Sequence, residues 1–112
     1  MLKIMKDGTI QLTRGDTARL AVPIINEFDG EEYVMQPDDT LVLSIKKTVS
    51  DTEVLLEKVL KGENTFHIAP KDTAKMKFGH YKYDVQLTTA GGDVYTVIAP
   101  TTFEILSEVT CR

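Results

Sequence analysis

The residues in this chain able to do chemistry are few and scattered. Its two histidines are His67 and His80. A metal needs several His, Cys or carboxylate ligands at short, regular spacing, and neither histidine has such neighbours in sequence. Asp29, Glu31 and Glu32, and again Asp38 and Asp39, gather carboxylates. They lack the alternating acidic spacing and central glycine of a loop that wraps calcium, so they read as solvated turn residues. Ser44, Ser50 and Ser107 lie outside any strand–turn–helix elbow that would expose a nucleophile. No glycine-rich phosphate loop precedes a helix, and no basic stripe carries aromatic residues for stacking on bases. Arg14-Gly15-Asp16 matches a tripeptide that some adhesion proteins present to integrins. Its glycine and aspartate are also what a tight turn between two strands requires. The expectation is therefore no catalytic residues, no metal ligands and no cofactor.

The elements that would position these side chains are strands. Tyr81, Tyr83, Val85 and Leu87 alternate with His80, Lys82, Asp84, Gln86 and Thr88, the period-2 pattern of a half-buried strand. Ala90-Gly91-Gly92-Asp93 supplies turn chemistry, and Val94 to Ile98 returns as a second strand rich in β-branched residues. Ile10 to Thr13 reads as a short strand. Leu20, Val22 and Ile24 share a face in the next one, where Pro23 demands an edge, a bulge or an unpaired side. Leu41, Leu43 and Ile45 face a core, with Val42 and Ser44 outward or under a loop. Val54 to Leu60 and Thr65 to Ile68 complete the set; Pro100 then interrupts, and Phe103 to Leu106 extends or bulges the last strand. Phe28 and Tyr33 are placed to pack beneath a loop tip at residues 27–31.

One helical segment stands out, a corner near residues 70–77. Pro70 suits a first turn and Gly79 is a plausible stop. Asp-Thr recurs at Asp16-Thr17, Asp39-Thr40, Asp51-Thr52 and Asp72-Thr73. Each aspartate is expected to accept from backbone N–H groups one or two residues further on.

The sum is an all-β chain. It reads as an immunoglobulin-like antiparallel β-sandwich of about seven strands with one short helical corner, or, as the runner-up, a partly open barrel. Residues 1–112 read as one domain with its core roughly at 9–106. In such sandwiches a tyrosine at the start of the sixth strand bonds back to the chain near the corner. Tyr81 is the first candidate and Tyr83 the second. The cysteine pair and central tryptophan of antibody domains are missing: Cys111 is the single cysteine, and there is no Trp. A net charge of −4 disfavours non-specific nucleic-acid binding, which needs a basic face. The first six residues are too short and too charged for a signal peptide, and no apolar run is long enough for membrane insertion. Synthesis in the cytoplasm is expected, whatever the final address.

Four stretches also carry a family likeness. They are Ile10 to Thr17 with its Arg-Gly-Asp-Thr, Leu41 to Lys47, Ile68 to Thr73, and Gly79 to Val85 with its Gly-x-Tyr-x-Tyr-Asp. Together they resemble the immunoglobulin-like N-terminal domain of phage baseplate upper proteins, and related tail-associated modules of phages and prophages of Firmicutes. The resemblance spans roughly residues 9–106 and implies no catalytic residues. It implies a structural or adaptor module whose partners are other phage structural proteins or further copies of itself, located in a virion tail or baseplate. Two other classes stay open on the residues alone. One is a free-standing immunoglobulin-like module that binds glycan or a surface protein through Phe28, Tyr33 or Tyr95. The other is a small β-barrel enzyme or metal-dependent cupin-like protein.

Overall fold

In the computed structural model, residues 2–4, 8–25 and 30–108 are described. Phe28, Asp29 and Cys111 lie outside them. The elements are β1 (Leu2–Ile4), β2 (Ile10–Thr13), β3 (Ala18–Ala21), β4 (Thr40–Lys46), β5 (Leu56–Lys61), β6 (Thr65–Ile68), α1 (Pro70–Thr73), β7 (Gly79–Thr88) and β8 (Val94–Leu106). The chain is mostly strand. One sheet has six strands in the order β1-β2-β8-β7-β4-β5, its outermost member only three residues long, and the other pairs β3 with β6.

Alternation decides which side chains go inside. On β7, Tyr81, Tyr83, Val85 and Leu87 are buried, while His80 and Gln86 are exposed. Leu41, Leu43 and Ile45 on β4 are buried in the same way. They join Leu20 and Phe66 from the smaller sheet, and Ile10, Leu12, Phe103 and Ile105, in a single apolar cluster. Both sheets therefore serve one core. At roughly 1.5–3 kcal/mol for each large apolar side chain removed from water, this cluster is the main term holding the sheets together.

The β7–β8 hairpin is closed at its tip by Thr89 N–H to the Asp93 carbonyl (2.8 Å) and Gly92 N–H to the Thr89 carbonyl (2.9 Å). Gly92 sits at φ 90°, a conformation that costs glycine little. Pro100 does not end β8. The pairing shifts register twice, between Tyr83 and Val85 and between Val85 and Gln86. A proline missing its N–H is accommodated at such a bulge without losing a ladder bond.

Four expectations are corrected. The sheet is not purely antiparallel: β2 runs parallel to β8, Ile10 opposite Phe103. These strands lie far apart in sequence, so no hairpin dictates their direction. The strand expected over residues 54–60 begins at Leu56, with Val54 and Leu55 leading in half-exposed. The helical corner is shorter than expected: α1 covers Pro70–Thr73, followed by a turn in which Met76 N–H reaches the Thr73 carbonyl at 2.9 Å. Finally, three of the four Asp-Thr aspartates reach backward. Asp39, Asp51 and Asp72 each accept from the N–H three residues earlier, on Gln36 (2.9 Å), Thr48 (3.2 Å) and Ala69 (2.7 Å). Asp39 and Asp51 thereby close the turn before them, and Asp72 closes a capping box at the start of α1.

Candidate functional site

Arg14-Gly15-Asp16 forms the turn after β2. Asp16 N–H donates to the Thr13 carbonyl at 3.1 Å, and Gly15 takes φ 83°. The arginine is engaged on all sides. Its guanidinium donates to Glu108 at 2.7 Å, lies 4.2 Å over the Phe78 ring, and approaches the Met76 carbonyl at 3.4 Å. Gly15 N–H donates to the fully buried Thr73 hydroxyl at 2.9 Å. The Arg-Gly-Asp turn and the Asp72-Thr73 corner, two separate motifs in sequence, are thus one contact. The tripeptide is a packed joint, not a displayed loop.

The corner has two further ties. Tyr81 Oη, at the start of β7, donates to the Lys77 carbonyl at 2.7 Å, as expected of the leading tyrosine candidate. Tyr83, the second candidate, instead donates to the Gly8 carbonyl and packs edge-on to Phe103 at 6.0 Å between centroids. Lys58 of β5 crosses to Asp72 at 2.7 Å. Burial pushes the Asp72 carboxyl up. The hydrogen bonds from Lys58 and the Ala69 N–H, with the charges of Lys58 and Lys71, outweigh it and hold the group below the usual carboxylate range.

A second polar cluster lies near the hairpin tip. Asp39 is buried and accepts from Tyr33 Oη at 2.5 Å and Gln36 N–H at 2.9 Å. The Tyr33 hydrogen bond, helped by the N–H groups of Gln36 and Ala90, draws the Asp39 carboxyl below its ordinary value. The same bond, with desolvation and the Asp39 charge, raises Tyr33. Acid and phenol are fully partnered, and together they fasten the loop after residue 30 to the start of β4. Asp38, by contrast, is largely exposed.

The histidines are separated by the topology. His67 is exposed on β6 opposite Arg19, and His80 is on β7 opposite Glu104, Nε2 to Oε2 3.3 Å. Among the described residues no three His, Cys, Asp or Glu side chains come together where a metal could bind. Among them, too, no helix is long and apolar enough to cross a membrane. Ser44 faces outward on β4, opposite Asp84, beside a shallow hollow lined by Lys46, Val49, Lys82 and Pro100. Ser50 belongs to the loop before β5, its hydroxyl 3.3 Å from that of Thr48. Tyr95 is 55% exposed beside an exposed Val94, whereas Tyr33 is half-buried.

What the fold leaves open is strand edge. In the β3–β6 pair Val22 N–H donates to the Asn64 carbonyl at 2.9 Å, and Asn64 Nδ2 returns to the Val22 carbonyl at 2.9 Å. Backbone groups alternate sides along a strand, so those of Arg19 and Ala21 point away from β6. Among the described residues no strand lies against that side. Pro23 falls on the same parity, so its missing N–H is one that β6 does not require. On the larger sheet β5 is an outer strand, with Glu57, Val59 and Lys61 exposed. Sequence reasoning placed Pro23 on an edge, at a bulge or on an unpaired side but did not identify β5 as an edge, because strand order is not a local property.

No protein-family model matches this sequence, and comparisons with curated proteins and with solved structures likewise found no match.

Proposed function

We propose that this chain is an immunoglobulin-like β-sandwich acting as a non-enzymatic structural or adaptor module, of the phage tail- and baseplate-associated kind that its motifs resemble. The partners in this reading are other structural proteins of the particle or further copies of the chain, and the address is the virion tail or baseplate. Two features support the immunoglobulin-like part. The strands β5, β4, β7 and β8 lie side by side opposite β3 and β6, as C′, C, F and G lie opposite B and E in such domains. Tyr81 also pins the corner before the sixth long strand.

The observation that carries the functional part is the open far side of β3, Ala18–Ala21, whose outward N–H and C=O groups can accept another chain's strand. Repeated symmetric assemblies are built from such contacts. The test has two parts. The gene is expected beside tail genes, and a setting among metabolic genes counts against the reading. The purified chain is then mixed with the product of a flanking tail gene. A stoichiometric complex weakened by Ala21→Pro, which removes an outward N–H, is the expected result. No complex with any flanking tail protein refutes the adaptor role.

One observation favours a second reading, a binding module for glycan or a surface protein: Tyr95 is exposed beside the hairpin tip. A glycan array with no signal, or with signal unchanged by Tyr95→Ala, removes the glycan form of that reading.

A further inference from the structure

Among the described residues no strand pairs with the outer edge of β5, and that edge matches itself. Gly62 N–H donates to the Asp39 carbonyl at 2.9 Å, in register with the β4–β5 ladder that pairs Thr40 with Lys61. By the alternation of antiparallel bonding, the even-numbered residues of β5 face β4. The N–H and C=O groups of Glu57, Val59 and Lys61 therefore point off the sheet. The same three residues carry the exposed side chains of the strand, and Val59, at the centre, is 57% exposed.

We infer that β5 pairs with β5 of a second copy of this chain, antiparallel about a two-fold axis through Val59. In that register Val59 meets Val59 of the second copy. Glu57 meets Lys61 of the second copy, and Lys61 its Glu57, so both flanking pairs have opposite charge and none has like charge. All three residues present bonding groups to the partner strand, so the backbone bonds and the charge pairs need the same register. The remaining lysine does not obstruct this. Lys58 points to the other face, with Nζ held by Asp72 at 2.7 Å. Lys61 is only loosely occupied by its own chain: Asp38 is 4.0 Å away, and both side chains are largely exposed. Val42, opposite Val59 on β4, continues the same row, so Val42 and Val59 of each copy would line up across the joined sheet. The result is one continuous sheet across two copies. This rests on reading the chain as a module that works through its strand edges, and it names one edge and its partner.

A six-residue strand makes a small contact, so the pairing belongs to the weak, transient class. Sedimentation velocity and light scattering from micromolar to roughly 1 mM cover that range. The expected result is a monomer–dimer equilibrium weakened by added salt. Glu57→Lys or Lys61→Glu alone turns both charge pairs repulsive and is expected to weaken the dimer roughly tenfold or more. The double variant Glu57→Lys/Lys61→Glu restores opposite charges and is expected to recover dimerisation. Both substituted side chains are exposed, and circular dichroism checks that each of the three variants keeps its fold. A wild-type chain monomeric throughout the range overturns the inference. So does a dimer indifferent to the single reversals, or one that the double variant fails to rescue. Each of these outcomes leaves the β3-edge test with tail proteins standing, so the two proposals fail separately.

Discussion

Removing one oxygen atom tests the helical corner. Tyr81→Phe keeps the ring, its burial and the Lys47 ammonium 4.6 Å from the ring centre, and deletes only the hydroxyl that donates to the Lys77 carbonyl at 2.7 Å. A net intramolecular hydrogen bond contributes about 0.5–1.5 kcal/mol. Lys77 is itself exposed, so water can reach its carbonyl once the hydroxyl is gone, and the full penalty of a buried orphan acceptor does not apply. The expected loss is about 1 kcal/mol. In a chain of this length that lowers Tm by roughly 4 °C. The chain has no Trp, so urea unfolding is followed by tyrosine fluorescence and far-ultraviolet circular dichroism. Hydrogen exchange supplies the local readout: amides of residues 74–78 are expected to exchange faster while those of β4 change only with global stability. Tyr81→Leu is the comparison, because it also loses ring packing and should cost about 2–4 kcal/mol. If Tyr81→Phe matches the wild type within roughly 0.3 kcal/mol while Tyr81→Leu is strongly destabilised, the hydroxyl does not hold the corner. The ring does, and the pin argument is wrong.

The remaining expectations concern the other joints. Thr73→Val keeps the volume of a fully buried side chain but removes the acceptor for Gly15 N–H, so a loss of about 1–2 kcal/mol is expected in urea unfolding, and no loss refutes the contact. Asp72 has a lowered pKa in the folded state, so its contribution to stability is present above the unfolded-state value and lost as pH falls through the folded one. Asp72→Asn should therefore flatten the acid limb of stability against pH below about pH 4, and an unchanged limb contradicts the assignment. Tyr33→Phe removes the main cause of the low Asp39 pKa, and an NMR titration is expected to show that carboxyl moving up toward its ordinary range. Asp16→Glu should lower stability because it changes a tight turn, whereas the wild-type chain should give no signal in an integrin-dependent cell-adhesion assay, since Arg14 is held by Glu108 and Phe78.

Much of the β architecture was legible because alternation is a local signal. A residue's neighbours two positions away share its face, so Tyr81 to Leu87 and Leu41 to Ile45 declare their buried sides without knowledge of the partner strand. The Tyr81 pin was legible too, because donor and acceptor are four residues apart. The joints were not. Arg14 with Glu108, Gly15 with Thr73, and Lys58 with Asp72 unite residues that no spacing rule connects. Three of the four Asp-Thr aspartates also bond backward where a forward bond was expected, since an aspartate can serve the turn on either side and packing selects which.

From sequence alone, most of this protein's strand-forming segments and most of the inward set of side chains were determined, because these depend on residues a few positions apart; β1 and the start of β5 were not. Tertiary structure alone decided the parallel β2–β8 pair, the two-register bulge around Pro100, and which strands end as edges. Strand order is set when distant segments compete for one core, and no short window contains that competition. The edge of β5, with Glu57, Val59 and Lys61 facing outward, is a product of that order, and so is any partner it takes.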